Sequence, residues 1–209
     1  MAKFDPAIDQ SVVWAAACVA YRINSGYVKV ANADKKDNKT LVREIIELDN
    51  SITNEDLQHG QTVRDYIAKS ATMATLRGTL DTWGQEMARV GQLDRIESTY
   101  DLNVIASMPA TYQRSVERDR VHERLSTTNT EYQAQLGDKI ELAAEVVENK
   151  YSQKWATYYV TVVDTDNRAW YFAHRRSLDK GSTVTLKGTV KRIQDRMVQL
   201  NRVKIKETV

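Results

Sequence analysis

In the last third of the chain Tyr151, Trp155, Tyr159 and Tyr171 are interleaved with Lys150, Lys154, Arg168, Arg175, Arg176, Lys191, Arg192 and Arg196. Flat aromatic faces stack on unpaired bases at about 1–3 kcal/mol each, and lysines and arginines follow a phosphate backbone without reading its sequence. That pairing of residue types is the chemistry of single-strand nucleic-acid binding. Each aromatic is equally suited to packing in a core, and the charges at Arg175, Arg176, Lys191 and Arg192 to keeping a surface soluble. The binding reading draws on their coincidence.

Motifs for catalysis are missing, and the expectation is a protein that is not an enzyme, with no catalytic residue, no metal and no cofactor. The chain has no GxxxxGK[ST] phosphate loop, no GxGxxG and no GxSxG elbow. His59, His122 and His174 are scattered, and Cys18 is the sole cysteine, so no zinc-ligand spacing arises. The acid pairs Glu44/Glu47 and Glu55/Asp56 fall in helical patterns, where capping and solubility account for them.

Positioning the aromatic and basic set requires strands, and residues 139–205 supply them. Ile140, Leu142, Ala144 and Val146 alternate as in a half-buried strand, followed by a polar loop over residues 148–154. Residues 155–163 (WATYYVTVV) are β-branched and aromatic, and the DTDN turn at 164–167 joins them to RAWYFAH at 168–174, which predicts a hairpin. Residues 183–193 alternate again, with Gly188 marking a bulge or bend, and a tight turn at 194–196 feeds a last strand at 197–205. In the second strand Tyr158, Val160 and Val162 should face the core, with Trp155, Thr157, Tyr159 and Thr161 on the outer, wetter side. In the third, Trp170 and Phe172 should be core and Tyr171 outward. Five strands with a connection between the third and fourth outline an OB-fold barrel, which binds nucleic acid around strands 2 and 3 and the loops joining strands 1–2 and 4–5.

Ahead of this segment the apolar spacing is helical. Residues 11–24 are apolar on nearly every side, as in a helix buried in a bundle, so Trp14 and Tyr21 read as core residues before they read as base stackers. Residues 27–30 suggest a short extended piece, and Leu41, Val42, Ile45, Ile46 and Leu48 define one helical stripe. Thr53 to Asp56 cap a further helix with a break near His59 and Gly60, and residues 68–90 form a third helical region carrying Gly78 and Gly84. Residues 101–107 fit a short strand or a helix end, and Pro109 suits a first helical turn capped by Ser107. Arg114, Arg118, Arg120 and Arg124 recur along residues 110–125, but Glu117, Asp119 and Glu123 between them fit a solvated helix face better than a phosphate track. Residues 126–135 are the most linker-like, which divides the chain into a helical domain (1–125), a linker (126–137) and a barrel (138–209), an α+β protein.

Charge follows the same division. Residues 1–137 hold 16 Lys and Arg against 19 Asp and Glu, whereas residues 138–209 hold 14 against 9. A basic β part attached to a mildly acidic helical part suggests a polyanionic partner for the former. A single cysteine fits a reducing compartment, and the apolar run at residues 12–20 is too short to span a bilayer, so a cytoplasmic protein with no membrane partner is expected.

The phrases AEVV, YYVTVVDTDNRAWYFAH, GSTVTLKGTVKRI and QLNRVKI, in that order, resemble the OB-fold domains of replication-associated proteins of tailed bacteriophages. INSGYVKV and YDLNVIASMPATYQR resemble phage proteins carrying the same C-terminal module, while the helical part is foreign to bacterial single-strand-binding proteins. The resemblance lends no catalytic residues. It implies a viral protein in the host-cell cytoplasm that binds single-stranded DNA, or RNA, with little sequence preference during replication, recombination or repair. Replication proteins of phage or host are the implied protein partners. Two other roles stand beside it: an adaptor docking on a replication or host protein through the barrel or the helices, and a virion assembly component. Oligomeric state, and the choice between DNA and RNA, are open.

Overall fold

The computed structural model describes residues 3–48, 52–194 and 196–207. The chain divides into two compact units, Met1–Val116 and Glu117–Val209.

The first unit is built around α1 (Gln10–Ile23), in which every residue from Val13 to Ala20 is buried. Its run of small side chains allows close approach. A Cβ added to Gly60 would lie 2.6 Å from the Ala15 backbone nitrogen, so α3 (Asn54–Leu76) crosses α1 at near backbone contact. That contact explains why the expected break at His59 and Gly60 is absent: Gly60 serves helix packing, and α3 runs unbroken to Leu76. Its N-terminus is a capping box of Thr53 and Asp56. Asp56 is 3% exposed and accepts from Arg22 Nη1 at 2.7 Å.

Helix α2 (Asn38–Glu47) buries Val42 and Ile45, on the stripe its spacing predicts. The extended piece expected at 27–30 is irregular instead. Asn38 Oδ1 accepts from both Val28 N and Asn24 Nδ2 at 2.8 Å, so a buried side chain holds this loop where a strand partner otherwise would. A two-stranded antiparallel sheet of β1 (Lys3–Asp9) and β2 (Arg95–Ser98), with α4 (Thr82–Gly91) and α5 (Thr99–Ile105), completes the unit. Residues 101–105 are therefore helical. Leu102, Val104 and Ile105 are buried, and the Ser98 side chain caps the start. Helix α6 (Met108–Ser126) begins with Pro109 in its first turn and contains the division between the units.

The second unit is a closed barrel of β3 (Lys139–Ser152), β4 (Thr157–Asp164), β5 (Ala169–His174), β6 (Thr183–Gln194) and β7 (Met197–Glu207). Its order, β3-β4-β5-β7-β6, is that of an OB-fold barrel: three meandering strands, then the fifth inserted between third and fourth. The chain is thus α+β, a mainly helical part followed by the barrel. Val146, Val160, Val162, Trp170, Phe172, Leu186, Val198 and Leu200 fill the interior, as the alternation predicts for Trp170 and Phe172. Gly188 coincides with a register shift between β6 and β7, and a Cβ there would press on Val203 and Leu200 at 3.2–3.4 Å.

Two expectations about the strands are corrected. Residues 148–152 are not loop but the outer half of β3, paired to β4 through Ser152↔Thr157. A bulge between Val146 and Glu148 breaks the period-2 pattern, so the strand reads as ended where it only shifts face. Trp155 lies outside the second strand, in a 3-10 turn (Gln153–Trp155) closed by Ala156 in the left-handed region at φ 45°.

The linker-like residues 127–137 are built onto the barrel. The Tyr132 ring packs edge-on against Trp170 at 5.4 Å, and its hydroxyl, 2.9 Å from Ala169 O, accepts from Ala169 N. Gly137 N donates to Val190 O at 2.9 Å.

Candidate nucleic-acid interface

Cross-strand pairing decides which side chains share the outer face of the barrel. On it lie a row through Lys150, Tyr159 and Ala173, and beside it a row through Glu148, Thr161, Tyr171, Gln199 and Arg192. Neighbouring same-face residues along a strand lie about 7 Å apart. Tyr159 is 40% exposed and Tyr171 half-buried. The two tyrosines and Arg192 therefore form a diagonal across β4, β5, β7 and β6. The expectation of a wet outer face fails at Thr161, which is buried together with Val163. On that side of the unit α6 is fastened to the barrel: Arg124 Nη1 donates to Asn167 Oδ1 at 2.7 Å and Lys180 Nζ to Glu117 Oε1 at 2.6 Å. Lys180 holds the Glu117 carboxyl below its usual pKa through that hydrogen bond, despite the raising effect of burial.

Around the β3–β4 turn the exposed candidates gather. Trp155 is 64% exposed, with Lys154 Nζ 5.1 Å from its ring centroid. Tyr151 is 54% exposed, but it pairs with Tyr158 and packs against that ring, tilted by 52°, at 4.9 Å. It thus lies on the side opposite Tyr159, at the open end of the barrel, and the bulge after Val146 put it there. Thr157 Oγ1 donates to His174 O, which brings Arg175 and Arg176 to the same barrel end as Lys154 and Trp155. Lys150 is engaged by Glu148 at 2.6 Å.

The other end differs in sign. Asp138, Asp164 and Asp166 line a cleft of about 580 Å³ there. Asp164 ties the β4–β5 turn together by accepting from Arg168 N, Asp166 N and Trp170 Nε1 at 2.8–2.9 Å. Arg168 sits among these acids, paired to Asp166 at 3.0 Å, and is not brought to the outer face with the tyrosines. Arg196, in the β6–β7 turn, donates to Ser126 O. Lys191 and Arg192 are exposed and without an acidic partner among the described residues.

Basic residues absent from the sequence-derived set belong to the same barrel. Arg202 and Lys204 are exposed on β7, while Val203 and Ile205 pack toward the core, and Lys139 and Lys187 flank them. The signal was present in the alternation RVKI, but the segment read only as the strand that closes the barrel.

Among the described residues no group of three or more His, Cys, Asp or Glu could hold a metal ion, and no helix is long and apolar enough to cross a membrane. No family model, curated protein or solved structure matches the chain.

Proposed function

We propose that the barrel binds single-stranded nucleic acid, DNA or RNA, with little sequence preference, and that it does so without catalysing a reaction. One observation carries this reading: Trp155 and Tyr159 stay 64% and 40% exposed toward the barrel end where Lys154, Arg175 and Arg176 gather, with Tyr151 54% exposed on the opposite side of the sheet. Exposed rings beside cations suit a partner with both flat apolar faces and negative charge, which is what an unpaired strand offers. The strand would stack on Trp155 and Tyr159 and cross β4 and β5 by way of Tyr171. The resemblance of residues 139–205 to OB domains of phage replication-associated proteins supports a role in phage replication, recombination or repair in the host cytoplasm.

Titration of a labelled single-stranded oligonucleotide at two salt concentrations tests the proposal. Affinity should fall steeply as salt rises, because neutralised phosphates release counterions. Absence of binding at low salt would defeat it and leave the exposed aromatics to a protein partner, the adaptor role.

A further inference from the structure

The β5–β7 contact is the weak seam of the barrel. The two strands run parallel and pair only through Trp170↔Val198 and Tyr171↔Gln199, after which they diverge. A cleft of about 470 Å³ opens between them, with Arg175 and Arg176 on one wall, Arg202 on the other and buried Leu178 behind. That volume is within the about 300–1,000 Å³ typical of ligand clefts, more than a lone ion needs.

We infer that a bound single strand leaves the β4–β5 face through this cleft, its phosphates on Arg175, Arg176 and Arg202, and not along the β6–β7 turn. This path rests on the nucleic-acid reading proposed above. Four observations direct it. The three arginines are exposed, and none of them makes an ion pair among the described residues. No carboxylate lines the cleft, whereas Asp138, Asp164 and Asp166 line the one at the opposite end, beside the competing exit. The loop carrying Arg175 and Arg176 is held in place: His174 Nδ1 lies 3.3 Å from Arg176 N, and Leu178 O accepts from Asn149 Nδ2 at 2.7 Å. Finally, Arg202 also borders a second cleft with Lys139 and Lys204, in which Glu141 is paired to Lys187 at 2.7 Å, so the surface stays net cationic past the seam.

The experiment compares wild type with a triple variant, Arg175→Ala, Arg176→Ala and Arg202→Gly. Glycine is chosen because Arg202 has φ 51°, which glycine adopts freely. Both are titrated with a thymidine 12-mer and a 4-mer, within the roughly 4–16 nucleotides an OB barrel holds. For the 12-mer, losing three phosphate contacts should flatten the slope of log affinity against log salt by about 2. Low-salt 12-mer affinity should drop about tenfold or more, and 4-mer affinity by a smaller factor, because a short strand held on Trp155 and Tyr159 does not extend as far as Arg202. Arg202→Lys alone should keep the wild-type slope, which separates charge from folding. An unchanged 12-mer slope in a folded triple variant, while Trp155→Ala still weakens binding, overturns the path and leaves the binding reading intact. Equal loss for both lengths overturns it too. If wild type binds neither oligonucleotide, the binding reading itself fails and the path with it.

Discussion

Replacing Trp155 by alanine should weaken single-strand binding without removing charge. The ring is 64% exposed and sits in a 3-10 turn outside the barrel core. Taking a Trp surface of about 240 Å², about a third of it is covered, and at ~25 cal/mol per Å² its loss costs at most about 2 kcal/mol of stability. One lost base stack costs about 1–3 kcal/mol of binding, or roughly 5- to 150-fold in Kd. The salt dependence should stay as in wild type, because no cation is removed, whereas Lys154→Ala should lower the slope by about 0.7. Trp155→Phe should recover part of the affinity by restoring a stacking face. Anisotropy of a fluorescein-labelled thymidine oligonucleotide gives Kd and slope, and a urea melt gives stability. An unchanged Kd, or a Trp155→Ala slope that falls like that of Lys154→Ala, would refute the assignment of this ring to stacking.

Three further outcomes concern the helical unit. Burial pushes the Cys18 thiol up to about 12, with Asp56 adding to the rise; a shift of about three units lowers the thiolate fraction at pH 8 about a thousandfold. Disulfide-exchange reagents should therefore label native protein orders of magnitude more slowly than protein in denaturant, and equal rates would contradict this packing. Gly60→Ala should destabilise by about 1–3 kcal/mol in a urea melt despite alanine's better helix propensity, because its Cβ would meet the Ala15 backbone. Burial works to raise the Asp56 pKa, but hydrogen bonds from Arg22 and Thr53 outweigh it and hold the carboxyl below its usual value. Its contribution is present above the unfolded-state pKa of about 3.9 and is lost as pH falls through the lower folded value. Asp56→Asn should accordingly lower stability at pH 7 by about 1–2 kcal/mol and flatten the acid limb of the stability–pH curve.

Where period-2 alternation was intact, the barrel was legible. Val160, Val162, Trp170 and Phe172 are buried on the face their spacing assigns, and Tyr159 emerges on the other. Where one extra residue enters a strand, the pattern misleads. The bulge after Val146 made residues 148–152 look like loop and turned Tyr151 away from Tyr159. The neighbours of Trp155 are strong strand formers, yet Ala156 in the left-handed region ends the turn before β4 begins. Long-range contacts leave no local trace at all. Gly60 looks like a helix breaker until α1 is placed against it, and Thr161 looks wet until tertiary packing covers it. The basic residues on β7 were visible as letters, but their place beside the β5–β7 seam depends on a strand order that pairs residues about thirty positions apart.

The most direct measurement is backbone amide shift mapping of the protein with a single-stranded thymidine oligonucleotide. Perturbations are expected at Lys154, Trp155, Tyr159 and Tyr171 and around Arg175, Arg176 and Arg202, with the amides near Asp164 and Asp166 unmoved. Perturbations confined to residues 3–48 and 52–116, or centred on the acidic β4–β5 turn, would contradict it.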